Sequence, residues 1–233
     1  MICWSCERDA GDSPACVSCG AILPPQAGLD HFAVLGLPRR HDLDMTAAEQ
    51  QFRTLSRQFH PDRFAKADPR ARRASLQRSV QVNEAWRTIK DPQRRAEYLL
   101  RLAGYELAAE EGASRPGGTG EAGARERIPV PAALLGEILE LREELADART
   151  AGDDAHVQRM ATDMRQRIEV ALRKVAGALA DDPGDVRDAG GRTADLEMAA
   201  REMIAVRYFR RFLDEVAVHE EAAAARDEGA AHA

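Results

Sequence analysis

Aromatic residues are scarce in this chain, and long apolar runs are absent. Aromatics make up 5% of the 233 residues, and the alternation of apolar and polar residues that is typical of strands is almost missing. No stretch approaches the roughly 18 apolar residues that a membrane span needs. These absences predict an all-α protein without a membrane partner, long enough for one or two domains with cores of their own.

The first residues also lack a targeting pattern. They contain neither the basic region nor the apolar region of a secretory signal, and they are too acidic and too rich in cysteine for a transit peptide. We therefore expect a cytoplasmic protein, with the mitochondrial matrix as the alternative.

Charge is divided unevenly along the chain, although the net charge is only −6. Residues 31–101 carry 15 Lys and Arg against 8 Asp and Glu, whereas residues 102–233 carry 17 against 27. A basic half joined to an acidic half predicts two different partners, although solvated helix faces would give the same counts. The basic half has no interleaved aromatics for base stacking, so we expect no nucleic-acid partner.

Cysteine occurs only near the N-terminus, as Cys3, Cys6, Cys16 and Cys19. Two Cys-x2-Cys pairs close together supply four thiolates for one tetrahedral structural zinc, without an open coordination position for catalysis. Disulfides or redox thiols are the alternatives, but disulfides are disfavoured in the cytosol, and a redox pair would not need two matched pairs. Residues 1–25 are too short to fold alone, so metal binding is expected to supply their folding free energy.

An apolar stripe leads into a His-Pro-Asp turn. Phe52, Leu55 and Phe59 recur at helical spacing and predict a helix over about 46–59, with Thr46 and Glu49 forming a capping box. The proline that follows His60 disfavours helical geometry there, so the helix must end at this point.

The turn residues His60, Pro61 and Asp62 allow three interpretations. His60 as a general base steered by Asp62 would need a nucleophile, a metal partner or a phosphate cradle, and the surrounding sequence supplies none of these. A plain structural turn is the second interpretation. We favour the third, a rigid polar contact point, because Arg53 and Arg57 form a positive ridge beside it that would steer an acidic partner surface.

Further helices follow the turn. They are predicted over about 69–89, from Asp91-Pro92 to about Gly104, and over about 129–151, 154–180 and 193–226, the last three as an antiparallel bundle. The chain is therefore predicted to comprise a four-cysteine segment (1–28), a helical domain (29–106), a Gly-rich linker (107–128), a bundle (129–227) and a disordered tail (228–233).

Residues 30–104 resemble a J domain, the module that triggers ATP hydrolysis in heat-shock-70 chaperones. The motifs at 60–64, 83–86, 95–100, 139–145 and 211–214 resemble those of the HscB family of iron–sulfur co-chaperones. The longer, animal-type members of that family carry a similar tetracysteine segment. The likeness covers about residues 30–220.

The resemblance implies a non-enzymatic co-chaperone that activates an HscA-like (DnaK-type) ATPase and delivers an IscU-type scaffold to it. The chaperone-binding residues would be His60, Pro61, Asp62, Arg53 and Arg57. The scaffold-binding residues would be Leu135, Leu139, Glu140, Glu143, Asp147 and Phe212. We expect a monomer or a weak dimer.

Helical geometry provides a separate estimate of the scaffold site. Leu134, Ile138, Leu141 and Leu145 form one core stripe, whereas Leu135 and Leu139 fall on an adjoining stripe with carboxylates beside them. In the last helix, Leu196, Met203, Val206 and Leu213 group together, and Phe212 is predicted to lie off that line. The alternative is a wide stripe that simply packs against the other helices.

Three rival functions are compatible with the same sequence features. A general J-domain co-chaperone would use the bundle for other clients. A zinc-dependent nucleic-acid binder would use the basic half, and a metalloenzyme would need an open metal position. If the resemblance holds, the four-cysteine segment is expected to be an accessory whose deletion leaves ATPase stimulation largely intact.

Overall fold

The computed structural model of this chain describes residues 2–11, 13–108, 126–180 and 190–231, with the side chains of 190–192 and 219–231 left out. Its internal contacts divide the chain into two compact units, Met1–Arg95 and Ala96–Ala233. The described residues are mostly helical, and the predicted all-α class is confirmed. Within them, no helix combines the length and apolar character that crossing a membrane requires.

The first unit contains the four-cysteine segment and four helical elements. Helix α1 is His31–Leu35, α2 is Met45–Gln58, a short 3-10 helix covers Pro61–Phe64, and α3 is Pro69–Ile89. Helix α4, Pro92–Leu102, begins in this unit and ends in the second. Both α1 and α2 pack against α3, and Phe52 of α2 stacks on Trp86 of α3 with ring centroids 4.9 Å apart.

The start of α2 differs from the predicted capping box. Asp44 is the N-cap, and its carboxylate accepts hydrogen bonds from the backbone N–H groups of Thr46 and Ala47. An aspartate in extended geometry satisfies these donors directly. With Asp44 as the N-cap, the third helical position is Ala47 and not Glu49, and Glu49 instead pairs with Arg53 at 2.7 Å.

In the second unit, a pair of short strands follows the end of α4, at the two ends of the predicted linker. Strand β1, Tyr105–Leu107, pairs in parallel with β2, Glu126–Ile128. Residues 107 and 126–128 were predicted as linker, and this is wrong. Tyr105 and Ile128 are buried and both strands contact the last helix of the chain, so apolar burial holds the strands in place. Residues 109–125, the rest of the predicted linker, lie outside the described residues.

Three long helices follow the strands among the described residues of the second unit. Helix α5 is Ala132–Ala151, α6 is Asp154–Ala178 and α7 is Gly190–Ala231. Gly152, in the left-handed region at φ 68°, ends α5, and Asp153 then caps α6 by accepting from the N–H of His156. All three helices pack against one another, as the predicted bundle requires.

Helix α7 is longer than predicted. It continues to Ala231, so residues 228–231, predicted as part of a disordered tail, are helical. A run of four alanines, 222–225, lies just before these residues, and alanine has the highest helix propensity. Residues 232–233 lie outside the described residues.

Candidate functional site

The His-Pro-Asp turn lies at the end of α2, as the sequence predicts. Phe59 closes the helix, and His60 adopts an extended backbone at φ −59° and ψ 128° before the 3-10 helix. The side chains of His60 and Asp62 are 56% and 90% exposed. The turn therefore presents an imidazole and a carboxylate to solvent on a backbone fixed by two helical elements.

A local hydrogen bond orients the imidazole. His60 Nδ1 accepts from the backbone N–H of Asp62 at 3.3 Å, and it lies 3.6 Å from Asp62 Oδ2. In the neutral ring Nδ1 is then the acceptor, so Nε2 carries the hydrogen. The exposed Nε2–H is available to donate to a partner.

Cationic side chains lie beside the turn on α2 and just after it. Arg53 and Arg57 are exposed, and Arg63 Nη1 donates to the carbonyl of Arg57 at 3.2 Å. Arg53, Arg57 and His60 help to line an open groove of ≈ 450 Å³ between α2 and α3. Positive charge on this groove suits an acidic partner surface.

The four cysteines meet at one point in the folded segment. Their sulfur atoms all lie within 4.8 Å of one another, and the pairs Cys3–Cys19 and Cys6–Cys16 are each 3.7 Å apart. Metal–sulfur bonds of about 2.3 Å in a tetrahedron place the sulfurs about 3.8 Å apart. The residues present therefore fit one metal ion with four thiolate ligands.

The two cysteine pairs have nearly the same local structure. Ser5 N–H points at Cys3 Sγ and Ser18 N–H points at Cys16 Sγ, each at 3.4 Å. Each pair is followed by a residue in the left-handed region, Glu7 at φ 57° and Gly20 at φ 72°. This repeat aims backbone amides at the sulfurs, which favours the thiolate form that metals require.

The thiols differ in their ease of ionisation. Burial opposes ionisation of Cys16, but N–H groups of Cys19 and Ser18 and the neighbouring thiols outweigh it and lower its pKa to about 6. For Cys6 the N–H of Arg8 favours the thiolate, but burial and the other three thiols raise its pKa to about 11. The thiol of Cys16 is therefore the one that ionises near neutral pH. The resulting thiolate is the form in which cysteine binds a metal.

A third surface lies on α5. Leu135 and Leu139 are 43% and 61% exposed, and the other three residues predicted there, Glu140, Glu143 and Asp147, are exposed as well. On the opposite side, Leu134, Ile138 and Leu145 are buried in the bundle. We refer to the five exposed residues as the α5 patch. Apolar side chains among carboxylates are typical of a binding surface.

Phe212 does not belong to this surface. It is fully buried, so the prediction that it lies off the core of α7 is wrong, and Leu213 is the more exposed of the two. The reason is that α7 packs against both α5 and α6: its buried face is wider than one stripe. Glu215, one turn beyond Phe212, pairs with Arg142 of α5 at 2.5 Å.

Two family models match this chain. Residues 30–98 match the DnaJ domain, and residues 130–217 match the HSCB C-terminal oligomerisation domain. The chaperone HscB from Vibrio cholerae is similar in structure, with a TM-score of 0.59 and 29% identity over 83% of this chain and 98% of that one. This chain belongs to the HscB family of J-domain proteins. Human co-chaperone HscB has the same fold, with a TM-score of 0.69 and 22% identity over 94% of this chain and 98% of the human one.

Sequence reasoning about this HscB-family protein missed two residues next to the turn. Ser75 and Arg78 of α3 are buried, and Ser75 Oγ donates to the carbonyl of Phe59 at 2.8 Å. Positions 78 and 75 precede buried Val82 by four and seven residues, which places all three on one face of the helix. Polar side chains at 75 and 78 gave no reason to expect burial from the sequence.

Proposed function

We propose that this chain is a co-chaperone of iron–sulfur cluster biogenesis, which stimulates the ATPase of an HscA-like heat-shock-70 chaperone and delivers an IscU-type scaffold to it. The coarser part follows from family membership, since an HscB-type J domain implies a heat-shock-70 partner. The single observation that carries the finer part is the α5 patch. It adds to the exposed turn a second surface, apolar and acidic, that suits a client protein.

The α5 patch is where we place scaffold binding. Its two leucines provide apolar area for contact, and its three carboxylates provide charge complementarity to a basic surface of the scaffold. Gly136 lies between the leucines, is exposed, and has nothing within 4 Å of where a Cβ would be. The patch is therefore shallow at this point, and it has space for a side chain of the partner.

The J-domain turn is where we place chaperone binding. His60, Pro61 and Asp62 would contact the ATPase, while Arg53 and Arg57 would steer it by charge. The chain would act by binding alone, because the chemistry of ATP hydrolysis belongs to the partner. We assign the four cysteines one structural zinc, which would stabilise residues 1–28 and take no part in a reaction. The protein would act in the cytoplasm.

The experiment uses purified components. ATP hydrolysis by the HscA-like chaperone is measured alone, with this chain, and with this chain plus the scaffold. The proposal expects a clear rise with this chain and a further rise with scaffold. Phosphate release at the basal rate in all three mixtures would overturn it.

A general J-domain co-chaperone is the second candidate, favoured by the DnaJ match. Binding of the scaffold to Leu135→Ala/Leu139→Ala distinguishes the two. The control is Val170→Ala, which also removes an exposed apolar side chain from the bundle but lies on α6. Loss in the first variant and wild-type binding in the control support the scaffold role. If the wild type stimulates the ATPase but does not bind the scaffold, the general co-chaperone is favoured.

A further inference from the structure

One arginine joins the four-cysteine segment to the J domain. Arg78 of α3 is 7% exposed. Its Nε donates to the carbonyl of Leu23 at 2.5 Å, and its Nη2 donates to the carbonyl of Pro24 at 3.0 Å. Both carbonyls belong to the stretch that follows the second cysteine pair.

The fold of the cysteine segment fixes those acceptors. The Leu23 side chain is buried in the same small core as Cys3, Cys16 and Ala10. The Leu23 N–H donates to the carbonyl of Pro14 at 3.0 Å, and the carbonyl before it, of Ile22, accepts from Trp4 Nε1 at 2.8 Å. The Leu23 carbonyl therefore keeps its position only while the cysteine segment is folded.

The same guanidinium also lies against Phe59, the residue before the His-Pro-Asp turn. Arg78 Cζ lies 5.4 Å from the centre of the Phe59 ring, a cation–π distance. Phe59 is buried, and its carbonyl accepts from Ser75, three residues before Arg78. Because Phe59 directly precedes His60, its ring and carbonyl set where the turn begins.

A buried guanidinium needs its acceptors. Burial disfavours the charged form of Arg78 and lowers its pKa, yet an arginine side chain stays charged in proteins. If the cysteine segment unfolds, two acceptors are lost, and the guanidinium must turn towards water to regain hydrogen bonds. Such a movement would take it away from the Phe59 ring.

We propose that Arg78 is a positioning residue that couples the folded cysteine segment to the His60–Asp62 turn. Metal binding folds the segment, the segment holds Arg78, and Arg78 holds Phe59. The effect of this coupling on ATPase stimulation rests on the function proposed above. The sequence led us to expect that deletion of the segment leaves ATPase stimulation largely intact. The coupling predicts otherwise, because loss of metal should loosen the turn itself.

Amide hydrogen exchange of the full chain tests the coupling without relying on activity. Exchange is followed by mass spectrometry for peptides covering residues 57–66, with zinc bound and after chelation, in the wild type and in Arg78→Met. Chelation should speed exchange of these amides about tenfold in the wild type. Arg78→Met should exchange fast with zinc bound and change little on chelation, because coupled changes are not additive.

Two further variants sharpen the result. Arg70→Met is the matched control, since Arg70 lies on α3 and reaches the carbonyl of Trp4 at 3.5 Å, but is exposed; it should behave like the wild type. Arg78→Lys keeps the charge but cannot donate through the same fork to two carbonyls, so its exchange should be intermediate. If Arg78→Met fails to fold, Arg78→Lys completes the same comparison.

Two outcomes would overturn the coupling. One is unchanged exchange of residues 57–66 when zinc leaves the wild type. The other is additive effects of chelation and Arg78→Met. ATPase stimulation is recorded in parallel: its absence in the zinc-bound wild type would defeat the proposed function, whereas a non-additive exchange result would still support the coupling.

Discussion

The imidazole of His60 accepts the backbone N–H of Asp62, two residues later, at 3.3 Å. This bond fixes the ring but is exposed and local, so it contributes little to global stability. We therefore predict that His60→Gln abolishes stimulation of the heat-shock-70 ATPase while the thermal midpoint stays within a few degrees of the wild type, since exposed substitutions change stability by only about 0.5 kcal/mol. ATPase assays and thermal melts check this, with exposed Gln58→Ala as the control. Retained stimulation would contradict the J-domain assignment.

The cysteine segment contains an asymmetry that can be engineered. Glu7 and Gly20 occupy equivalent left-handed positions after each cysteine pair, but only glycine adopts this geometry without steric cost. Glu7→Gly should therefore stabilise the zinc-bound segment by about 1 kcal/mol, and Gly20→Ala should destabilise it by a similar amount. Competition with a chromophoric zinc chelator measures both changes. Equal zinc affinity in Glu7→Gly, Gly20→Ala and the wild type would show that backbone strain is irrelevant here.

Zinc content is a separate prediction. The sulfur separations suit one tetrahedral ion, so freshly purified protein should contain about one zinc per chain. Cys16→Ser removes a buried ligand, and it should reduce the bound zinc and expose the segment to proteolysis. Elemental analysis checks the content. Wild-type protein without zinc, or with another metal in its place, would reject the assignment of the ion.

Protonation of the buried His41 should make the stability of the fold depend on pH. Its ring is buried, and Nε2 is hydrogen-bonded to the carbonyl of Pro92 at 3.1 Å. Burial and the charge of Arg95 lower its pKa, against the opposing influence of that carbonyl and of Asp42. The unfolded state then binds the proton more readily, so stability is complete above the unfolded pKa of about 6.5 and falls as the pH drops through the lowered pKa.

Urea unfolding at pH 7.5 and pH 5.5 measures this dependence. His41→Gln keeps a donor for the Pro92 carbonyl but cannot titrate, so the loss of stability between the two pH values should be smaller than in the wild type. An identical loss in the two proteins would mean that His41 is not the source of the pH dependence.

The sequence was sufficient where one local rule decides the outcome. The end of α2 before Pro61, the Asp91–Pro92 start of α4 and the meeting of the four cysteines each follow from residue chemistry over a few positions. It was insufficient where packing between distant segments decides. The role of Arg78 depends on carbonyls 54 and 55 residues away, and strand β2 depends on burial against α7. No local pattern contains these relationships.

Substitutions at Phe212 and Leu139 test the largest difference between the predicted and the observed positions of the site residues. Both were predicted to bind the scaffold, yet Phe212 is fully buried and Leu139 is 61% exposed. Phe212→Ala should therefore lower the free energy of unfolding by about 3–5 kcal/mol through the cavity that it leaves. Leu139→Ala should change it by about 0.5 kcal/mol or less, while weakening the scaffold complex. Chemical denaturation and titration calorimetry separate the two effects.

Because Phe212→Ala acts on the whole bundle, any loss of scaffold binding should follow its loss of folded protein. Binding should be restored by Phe212→Leu, which refills much of the cavity. A binding defect that persists in folded Phe212→Leu would instead place this ring in the binding surface, through a conformational change that uncovers it.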